Sequence, residues 1–366
     1  NAIELDYCSS DAHPYDLLFL FDQHSTNRVK CRYQFNPKVL DKQYVNGLIG
    51  QLKQLLKKLL TENISLLDYN LLRLPQFNRI VYGFNRSLKI THQQDSIYTL
   101  FINQVKNTPQ KVALLDNHQQ LCYHSLNKKI SCLTTALIKY QQQPIAIFLE
   151  KGIQFQMAFW GVLSVNAIYL PLNVRNSQNL TAYMLRKANC KTIITNDKLT
   201  PKISSLDNID ILLIDELLRH QPQGGSVTIT TESLAYILFT SGTTSMPKGV
   251  AVSHTALFNR IQWMQKTFAI DASDVVLQKT SPTFDVSLWE MIWPLCYGAK
   301  LAALPSHQTT DFNQLYQSIL HHQLTIIHFV PSVLDAFLKF LQVHQMQFPQ
   351  TVRLLICSGE ALSNTI

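Results

Sequence analysis

The sequence predicts an α/β protein, in which short apolar strands alternate with helical stretches. Strand-like runs at residues 145–149, 192–195 and 209–214 are separated by segments with helical patterning, and this alternation favours helices layered on a sheet. Hydrophobic residues make up 46% of the chain and charged residues 15%, which is typical of a globular protein with a large core. The 366 residues are enough for one large domain and a smaller piece.

The first 67 residues have the pattern of a domain fragment. Residues 15–21 and 28–35 predict two strands around a polar turn, and a helix is expected to begin at Asp41. The apolar positions of that helix are Val45, Leu48, Ile49, Leu52, Leu55, Leu56 and Leu59. Two strands and one helix bury too little apolar surface to fold well alone. We therefore expect residues 1–67 to be the tail of another domain.

A linker is expected at residues 68–95, which have mixed polarity and contain Pro75 and Gly83. The larger domain is then predicted at residues 96–366. The chain has no initiator methionine and no basic-then-apolar signal pattern, so we expect it to be cut from a longer protein.

Composition excludes several classes of function. No apolar stretch reaches the roughly 18 to 20 residues needed to cross a bilayer. The net charge is +8, but the basic residues are dispersed, and the densest cluster, at Lys53, Lys57 and Lys58, is typical of a solvated helix face. We therefore expect neither a membrane nor a nucleic-acid partner. The seven cysteines are scattered and odd in number, which favours reduced thiols in the cytoplasm and no metal site.

The most informative segment is a small-residue loop at residues 240–249. An apolar strand at residues 235–239 is followed by small and hydroxylated residues and then by Pro247, Lys248 and Gly249. Glycine lets backbone N–H groups approach an oxyanion, hydroxyls donate hydrogen bonds, and lysine adds a mobile charge. The expected phosphate-binding residues are Thr240, Ser241, Gly242, Thr243, Thr244, Lys248 and Gly249. A Ser/Thr-rich turn between two strands is the simpler alternative.

This loop is not a Walker loop, because Gly249 follows the lysine. Its order resembles the signature loop of the adenylate-forming enzymes, a superfamily that includes acyl-CoA synthetases, luciferases and adenylation domains of nonribosomal peptide synthetases. The resemblance implies their large N-terminal subdomain as the fold. It also implies that the loop grips the β- and γ-phosphates of ATP, with Lys248 and Thr243 as catalytic residues. Ser245 departs from the usual glycine, and if that position needs φ > 0, serine strains the loop.

Other segments resemble peptide-synthetase domains in particular. Residues 101–127 are similar to the opening of an adenylation domain, and residues 163–173 match its Ala-x-Tyr-x-Pro segment. The strand, strand and helix pattern before residue 68 resembles the C-terminal end of a condensation domain, which has an α+β, chloramphenicol-acetyltransferase-like fold. That match concerns pattern only, since the histidine motif of condensation chemistry is absent from this sequence.

A second motif, residues 284–290, indicates the substrate class. Asp285 and Trp289 are four residues apart, so on a helix they share a face with Val286 alongside. An aspartate among apolar residues would be costly to bury unpaired, and a bound ammonium group would offset that cost. The simpler alternative is an aspartate that caps the helix. Amino-acid-activating members of the family place the partner of the α-amino group here.

Two further segments resemble the family's pocket-lining strands. Residues 326–332 imply that His328 points towards the substrate, although a histidine with satisfied hydrogen bonds in a strand is the simpler reading. Residues 353–362 imply that Ile356 and Ser358 lie on the pocket side. The predicted substrate-binding residues are Asp285, Val286, Trp289, His328, Ile356 and Ser358. This set resembles the pocket of serine-activating modules, where Trp289 would narrow the site and His328 and Ser358 would bind a hydroxyl.

The predicted function is ATP-dependent activation of an amino acid, L-serine, to aminoacyl-AMP with release of pyrophosphate. ATP and Mg²⁺ are the expected cofactors, and the aminoacyl group would pass to a phosphopantetheine thiol on a downstream carrier domain outside this chain. The expected partners are the amino acid, that carrier domain and the neighbouring condensation domain. The chain stops at Ile366, before the family's adenine-binding motifs and catalytic lysine of the C-terminal subdomain, so we expect it to be inactive alone.

Two alternatives remain open from the sequence. One is another adenylate-forming ligase, acting on a fatty or aryl acid, which would have no use for Asp285. The other is an inactive truncated module that acts only as a binding remnant.

Overall fold

The computed structural model describes most of the chain, in two compact units that comprise residues 1–89 and 90–366. The described residues are 2–7, 15–25, 28–61, 72, 74–84, 96–222, 227, 229–230, 232–240 and 246–363. Within these residues, no helix is both long enough and apolar enough to cross a membrane.

The first unit contains a three-stranded sheet and a long helix. Its strands are β1 (Ala2–Tyr7), β2 (Leu17–Ser25) and β3 (Arg28–Phe35), and its helices are α1 (Lys42–Thr61) and α2 (Leu74–Phe77), the latter continued by a π-helical turn at Asn78–Gly83. The sheet order is β1-β3-β2, with β1 parallel and β2 antiparallel to β3. Phe35, Val45 and Ile49 are its buried core, as the alternation in β3 and the helical spacing in α1 predict.

Asp41 starts α1 as expected, because its carboxylate accepts hydrogen bonds from the backbone N–H groups of Gln43 and Tyr44, at 2.7 and 3.1 Å. The strand β1 was not predicted, although Ile3, Leu5 and Tyr7 alternate with polar residues in the sequence. A six-residue edge strand gives a weak periodic signal, and its pairing with β3 depends on residues more than 20 positions away.

The predicted linker at residues 68–95 includes α2 and the π-helical turn, so this part of it is helical. The next helix, α3 (Ile97–Asn107), begins after Ser96, whose hydroxyl accepts from the Thr99 N–H at 3.1 Å. The predicted boundaries at residues 67/68 and 95/96 stay predictions.

The second unit is built on two six-stranded sheets. The first has the order β11-β10-β7-β6-β8-β9 and contains β6 (Pro144–Ile147), β7 (Ile168–Pro171), β8 (Thr192–Thr195), β9 (Asp210–Leu213), β10 (Leu234–Thr240) and β11 (Lys248–Ser253). Its strands are parallel except for β11, which is antiparallel to β10. The strands predicted at residues 145–149, 192–195 and 209–214 are β6, β8 and β9.

The second sheet has the order β15-β14-β12-β13-β4-β5. It contains β4 (Val112–Leu115), β5 (Gln120–Cys122), β12 (Val275–Leu277), β13 (Lys300–Ala302), β14 (Ile326–Phe329) and β15 (Leu354–Cys357). Again all neighbours are parallel except the short edge strand β5. The predicted α/β layering is therefore confirmed in both sheets.

Helices complete the second unit. They are α4 (Tyr123–Leu137), α5 (Ile153–Ser164), α6 (Gln178–Lys187), α7 (Ile214–Leu217), α8 (His254–Phe268), α9 (Val286–Cys296), α10 (Ser306–Thr310), α11 (Phe312–His321) and α12 (Pro331–Val343), with 3₁₀ turns at Ile138–Tyr140 and Thr200–Lys202. The helices α5 and α9 are buried along nearly their whole length, which is expected of helices that are apolar all round. Their side chains join the two sheets in one core. The start of α9 is therefore held in place by that core.

Candidate active site

The two ends of the predicted phosphate loop lie at the end of a β-hairpin. β10 ends at Thr240 and β11 begins at Lys248, and these two residues are paired across the antiparallel ladder. Both side chains are exposed, as is Gly249. This topology fits both readings of the sequence, a phosphate cradle and a turn between two strands. The loop residues Ser241, Gly242, Thr243, Thr244 and Ser245 lie outside the described residues.

Asp285 lies at the start of α9, where its carboxylate accepts a hydrogen bond from the Val286 N–H at 2.9 Å. Its side chain is exposed, and the neighbouring Phe284 is 63% exposed. The aspartate therefore caps the helix, and no cost of burial has to be offset by a cationic partner. Pairing with an ammonium group stays a prediction, and it is compatible with an accessible carboxylate.

The same carboxylate is close to the strand that leads into the loop. Tyr236 of β10 has its pKa raised, first by burial of the phenol and second by the negative charge of Asp285. Asp285, the candidate partner of the substrate's amino group, and the candidate phosphate loop therefore border on one strand, since Tyr236 is four residues before Thr240.

Trp289 forms a buried wall one helical turn after Asp285. Its side chain is 4% exposed, and its ring lies edge-on to the His328 ring with centroids 6.0 Å apart. Val286 is half-buried and packs against the main core. That Trp289 narrows a substrate site stays a prediction.

His328 and Ser358 are brought together by parallel pairing of β14 and β15. His328 lies opposite Ile356 in the register, and Ser358 follows directly after the end of β15. The His328 Nε2 and Ser358 Oγ atoms are 2.8 Å apart. Ile356 is half-buried and packs against the main core. His328 is thus a satisfied strand histidine, as the simpler reading proposed, and it is also in contact with two predicted pocket residues.

A buried glutamate, which the sequence analysis missed, lies behind this group. Glu290 follows Trp289 in α9 and is fully buried. Its carboxylate accepts from the backbone N–H of Thr280 at 2.9 Å and from the Thr280 hydroxyl at 2.6 Å. The signal was present in the sequence, because a single carboxylate within an apolar helix is rarely buried without a partner.

Two lysines supply positive charge near Glu290. Lys151 is buried, and its ammonium group donates to the carbonyl oxygens of Gln278 and Lys279 at 3.3 and 2.8 Å, and to Thr309 Oγ1 at 3.0 Å. Burial raises the pKa of Glu290, against the Thr280 hydrogen bonds and the two lysine charges. Burial lowers the pKa of Lys151, against the charge of Glu290.

His328 is neutral at physiological pH. Burial, assisted by the positive charge of Lys279, lowers the pKa of its imidazole to about 4. Its ring is therefore both a hydrogen-bond donor and an acceptor, on different nitrogens. The tautomer of the ring therefore decides the direction of every hydrogen bond that it makes.

Comparison with known proteins identifies the family. A profile described as "AMP-binding enzyme" matches residues 101–366. The match extends over most of the chain, which therefore belongs to the AMP-binding enzyme family. The prediction of an adenylating ligase, and of an adenylation domain like those of nonribosomal peptide synthetases, is confirmed by this match together with the relatives below.

The relatives are synthetases. Vanchrobactin synthetase VabF of Vibrio anguillarum is 34% identical over 287 residues, which are 76% of this chain and 10% of that protein. Zwittermicin A synthase ZmaJ of Bacillus cereus is 33% identical over 272 residues, 73% of this chain and 52% of that protein. The chain thus spans only a part of these relatives. The peptide synthetase FmoA3 in its AMPPNP-bound form has a TM-score of 0.75 at 20% identity, covering 90% of this chain and 35% of that one, and this likeness confirms the predicted adenylate-forming fold.

Proposed function

We propose that the protein activates L-serine with ATP to give seryl-AMP and pyrophosphate. The observation that carries the proposal is the contact series from Trp289 to His328 and from His328 to Ser358, one helical turn from the accessible carboxylate of Asp285. Together these residues would supply an anion for the α-amino group, a bulky ring that limits the size of the side chain, and a polar pair that can hydrogen-bond to it.

Each part of the substrate would meet a matching group. Asp285 would pair with the ammonium group, and the rigid, buried Trp289 would limit the side chain to a small one. The His328–Ser358 pair would bind the serine hydroxyl. Alanine would leave that pair without its partner, and sites of this kind discriminate by roughly 10⁴- to 10⁵-fold. Threonine adds only a methyl group, so its exclusion would be weaker, on the order of 10- to 200-fold.

ATP would be held by the loop between β10 and β11. Lys248 and the loop hydroxyls, including Thr240, would bind the β- and γ-phosphates, and Thr243 would act beside Lys248. A carboxylate oxygen of serine forms a bond to the α-phosphorus while the bond to the β-phosphate oxygen breaks, so pyrophosphate leaves. Positioning and charge neutralisation dominate such a step. Mg²⁺, carried on the phosphates, would neutralise charge on the leaving group.

The later steps of the proposal concern partners outside this chain. The seryl group would pass to a phosphopantetheine thiol on a carrier domain, with AMP released. Residues 1–67 would be the end of a condensation domain, an assignment that the sheet and long helix of the first unit support by pattern. The cytoplasmic location stays a prediction.

The test is ATP–pyrophosphate exchange by the full-length protein with a panel of amino, fatty and aryl acids. We expect exchange with serine, weaker exchange with threonine and little with alanine. Exchange with a different amino acid would overturn the serine assignment but keep the activity.

Exchange with fatty or aryl acids alone would overturn the role of Asp285 and favour the alternative ligase. No exchange with any acid, from protein that is folded by circular dichroism, would favour the inactive module.

A further inference from the structure

Four buried or half-buried side chains form one continuous hydrogen-bond series from the middle of α9 to the end of β15. Glu290 Oε1 is 2.6 Å from Thr280 Oγ1, which is 3.3 Å from His328 Nδ1. On the other side of the ring, His328 Nε2 is 2.8 Å from Ser358 Oγ. We call this the Glu290–Ser358 series. Glu290 and Thr280 lie behind the candidate pocket and belong to neither the predicted loop nor the predicted pocket set.

Above the pKa of Glu290, which burial raises to about 7, its negative charge fixes the direction of every bond in this series. An ionised carboxylate only accepts hydrogen bonds, so the Thr280 hydroxyl donates to it. The Thr280 oxygen then accepts from His328 Nδ1–H. In a neutral imidazole with a proton on Nδ1, Nε2 is the acceptor, so the hydroxyl of Ser358 donates to it.

Ser358 consequently has its only proton committed to His328. What remains on its oxygen is lone-pair electron density, which can accept a hydrogen bond but not donate one. A ligand group that contacts this oxygen must therefore be a donor, such as an alcohol O–H or an ammonium N–H.

We propose that Glu290 and Thr280 are positioning residues that select the Nδ1–H tautomer of His328 and thereby make Ser358 a hydrogen-bond acceptor for the substrate side chain. The inference rests on the proposed function in one respect, namely that the substrate hydroxyl contacts Ser358. It also explains why the site would prefer a substrate side chain that donates a hydrogen bond, which the pocket residues alone do not explain.

Charged groups around Glu290 support the ionised state that the series requires. Lys151, from the segment between β6 and α5, and Lys279, from the segment after β12, both favour a negative charge at Glu290. His328, which lies on β14, has its Nδ1 atom 3.9 Å from Glu290 Oε1. Burial acts in the opposite sense and is the larger effect, so the pKa of Glu290 is raised to about 7 and its carboxylate is ionised above that pH.

A neutral group at position 290 should reverse the donor and acceptor roles in the Glu290–Ser358 series. In Glu290→Gln, the Thr280 backbone N–H needs an acceptor at the place of Oε2, so the amide oxygen takes that place. The amide nitrogen then faces Thr280 Oγ1 and donates to it. The Thr280 hydroxyl turns to His328 Nδ1, Nε2 carries the ring proton and donates to Ser358, and the Ser358 hydroxyl becomes a donor towards the pocket.

The experiment combines tautomer assignment with exchange kinetics. Long-range ¹H–¹⁵N spectra of histidine-labelled protein, with His328 assigned from a His328→Gln sample, report which ring nitrogen carries the proton. At a pH above about 8, where Glu290 is ionised, we expect Nδ1–H in the wild type and Nε2–H in Glu290→Gln. For serine-dependent exchange we expect the KM of serine to rise roughly 10- to 100-fold in Glu290→Gln, with the KM of ATP unchanged.

Thr280→Val and Thr280→Ser form a matched pair that does not depend on how Glu290→Gln folds. Valine removes the bridging hydroxyl and should release the tautomer preference and raise the KM of serine, whereas serine keeps the hydroxyl and should restore both. At the same pH, an Nε2–H tautomer in the wild type, an unchanged tautomer in Glu290→Gln, or a switched tautomer with unchanged serine KM would each overturn the proposal.

Failure of the proposed function would look different. If the wild type activates another amino acid but not serine, and His328 still changes tautomer in Glu290→Gln, the serine assignment is wrong while the positioning role of Glu290 and Thr280 stands.

Discussion

Replacing Asp285 by asparagine separates the two roles that this residue could have. Its carboxylate accepts from the Val286 N–H at 2.9 Å at the start of α9, and asparagine can make the same bond, because asparagine and aspartate are about equally good N-caps. We therefore expect the free energy of unfolding of Asp285→Asn to stay within about 0.5 kcal/mol of the wild type. Alanine lacks the acceptor, so Asp285→Ala should lose about 1 kcal/mol.

The loss of pyrophosphate-exchange activity should depend on the negative charge at position 285 and not on the hydrogen bond that caps α9. An ammonium group bound to a neutral amide loses a charge-assisted hydrogen bond, which corresponds to a rise of roughly 10- to 100-fold in the KM of the amino acid. Asp285→Asn and Asp285→Ala should therefore be similarly poor in pyrophosphate exchange, although only the alanine variant is destabilised. Urea denaturation and exchange kinetics on the same preparations measure the two effects.

Wild-type KM in Asp285→Asn, with loss of activity only in Asp285→Ala, would mean that Asp285 merely caps α9. The pairing with an ammonium group would then be wrong, and with it the main reason for preferring amino acids over other carboxylic acids.

Three further outcomes are expected. Lys248→Met, at an exposed hairpin position, should lower kcat/KM for ATP by roughly 10- to 100-fold in pyrophosphate exchange without changing the urea midpoint. Asp274 is buried and accepts from Arg353 Nε and Nη2 at 2.7 and 2.6 Å. Burial raises the pKa of its carboxyl, but the hydrogen bonds from Arg353, the Asp271 N–H and the Thr325 hydroxyl together outweigh burial and lower it. The Arg353 side chain is 44% exposed, so Asp274→Ala leaves no buried charge behind but removes an acceptor from three donors; it should cost about 1 to 3 kcal/mol in urea denaturation at pH 7, a difference that shrinks as the pH falls below about 4. His254 and His328 have pKa values lowered by burial to about 4, so the unfolded state binds more protons and stability should fall as the pH decreases from about 6.5 to 4; urea titrations of His254→Leu should show a smaller fall.

The local parts of the fold could be predicted from the sequence because local patterning reports burial. The alternation in β3, the helix after Asp41 and the strand before Thr240 all depend on residues close together in the chain. The order of strands could not be predicted in this way. The pairing of β4 with β13, for example, joins residues nearly 190 positions apart, and it is decided by which faces bury one another.

The candidate site shows the same division. The N-cap role of Asp285 follows from its residue type at the start of an apolar run, and the expected shared face with Trp289 follows from their four-residue spacing. The contact between His328 and Ser358 depends on the register of β14 and β15, whereas the family resemblance implied only that both residues face the pocket. Glu290 could have been singled out as a carboxylate in an apolar helix, but its partner Thr280 lies before the helix, in an irregular segment that periodicity does not describe.

The positions of the proposed pocket residues are fixed by the packing of the hydrophobic core. Asp285, Trp289 and Glu290 lie within six consecutive residues, the N-cap and first turns of α9. Any rotation of α9 would therefore move the amino-group partner, the Trp289 ring and the start of the Glu290–Ser358 series together. That rotation is opposed by the apolar side chains that pack α9 against both sheets, because a close-packed interior does not yield continuously. Substrate discrimination by a single methyl or hydroxyl group requires positions fixed to a fraction of an ångström, and a buried helix provides this where an exposed loop would not.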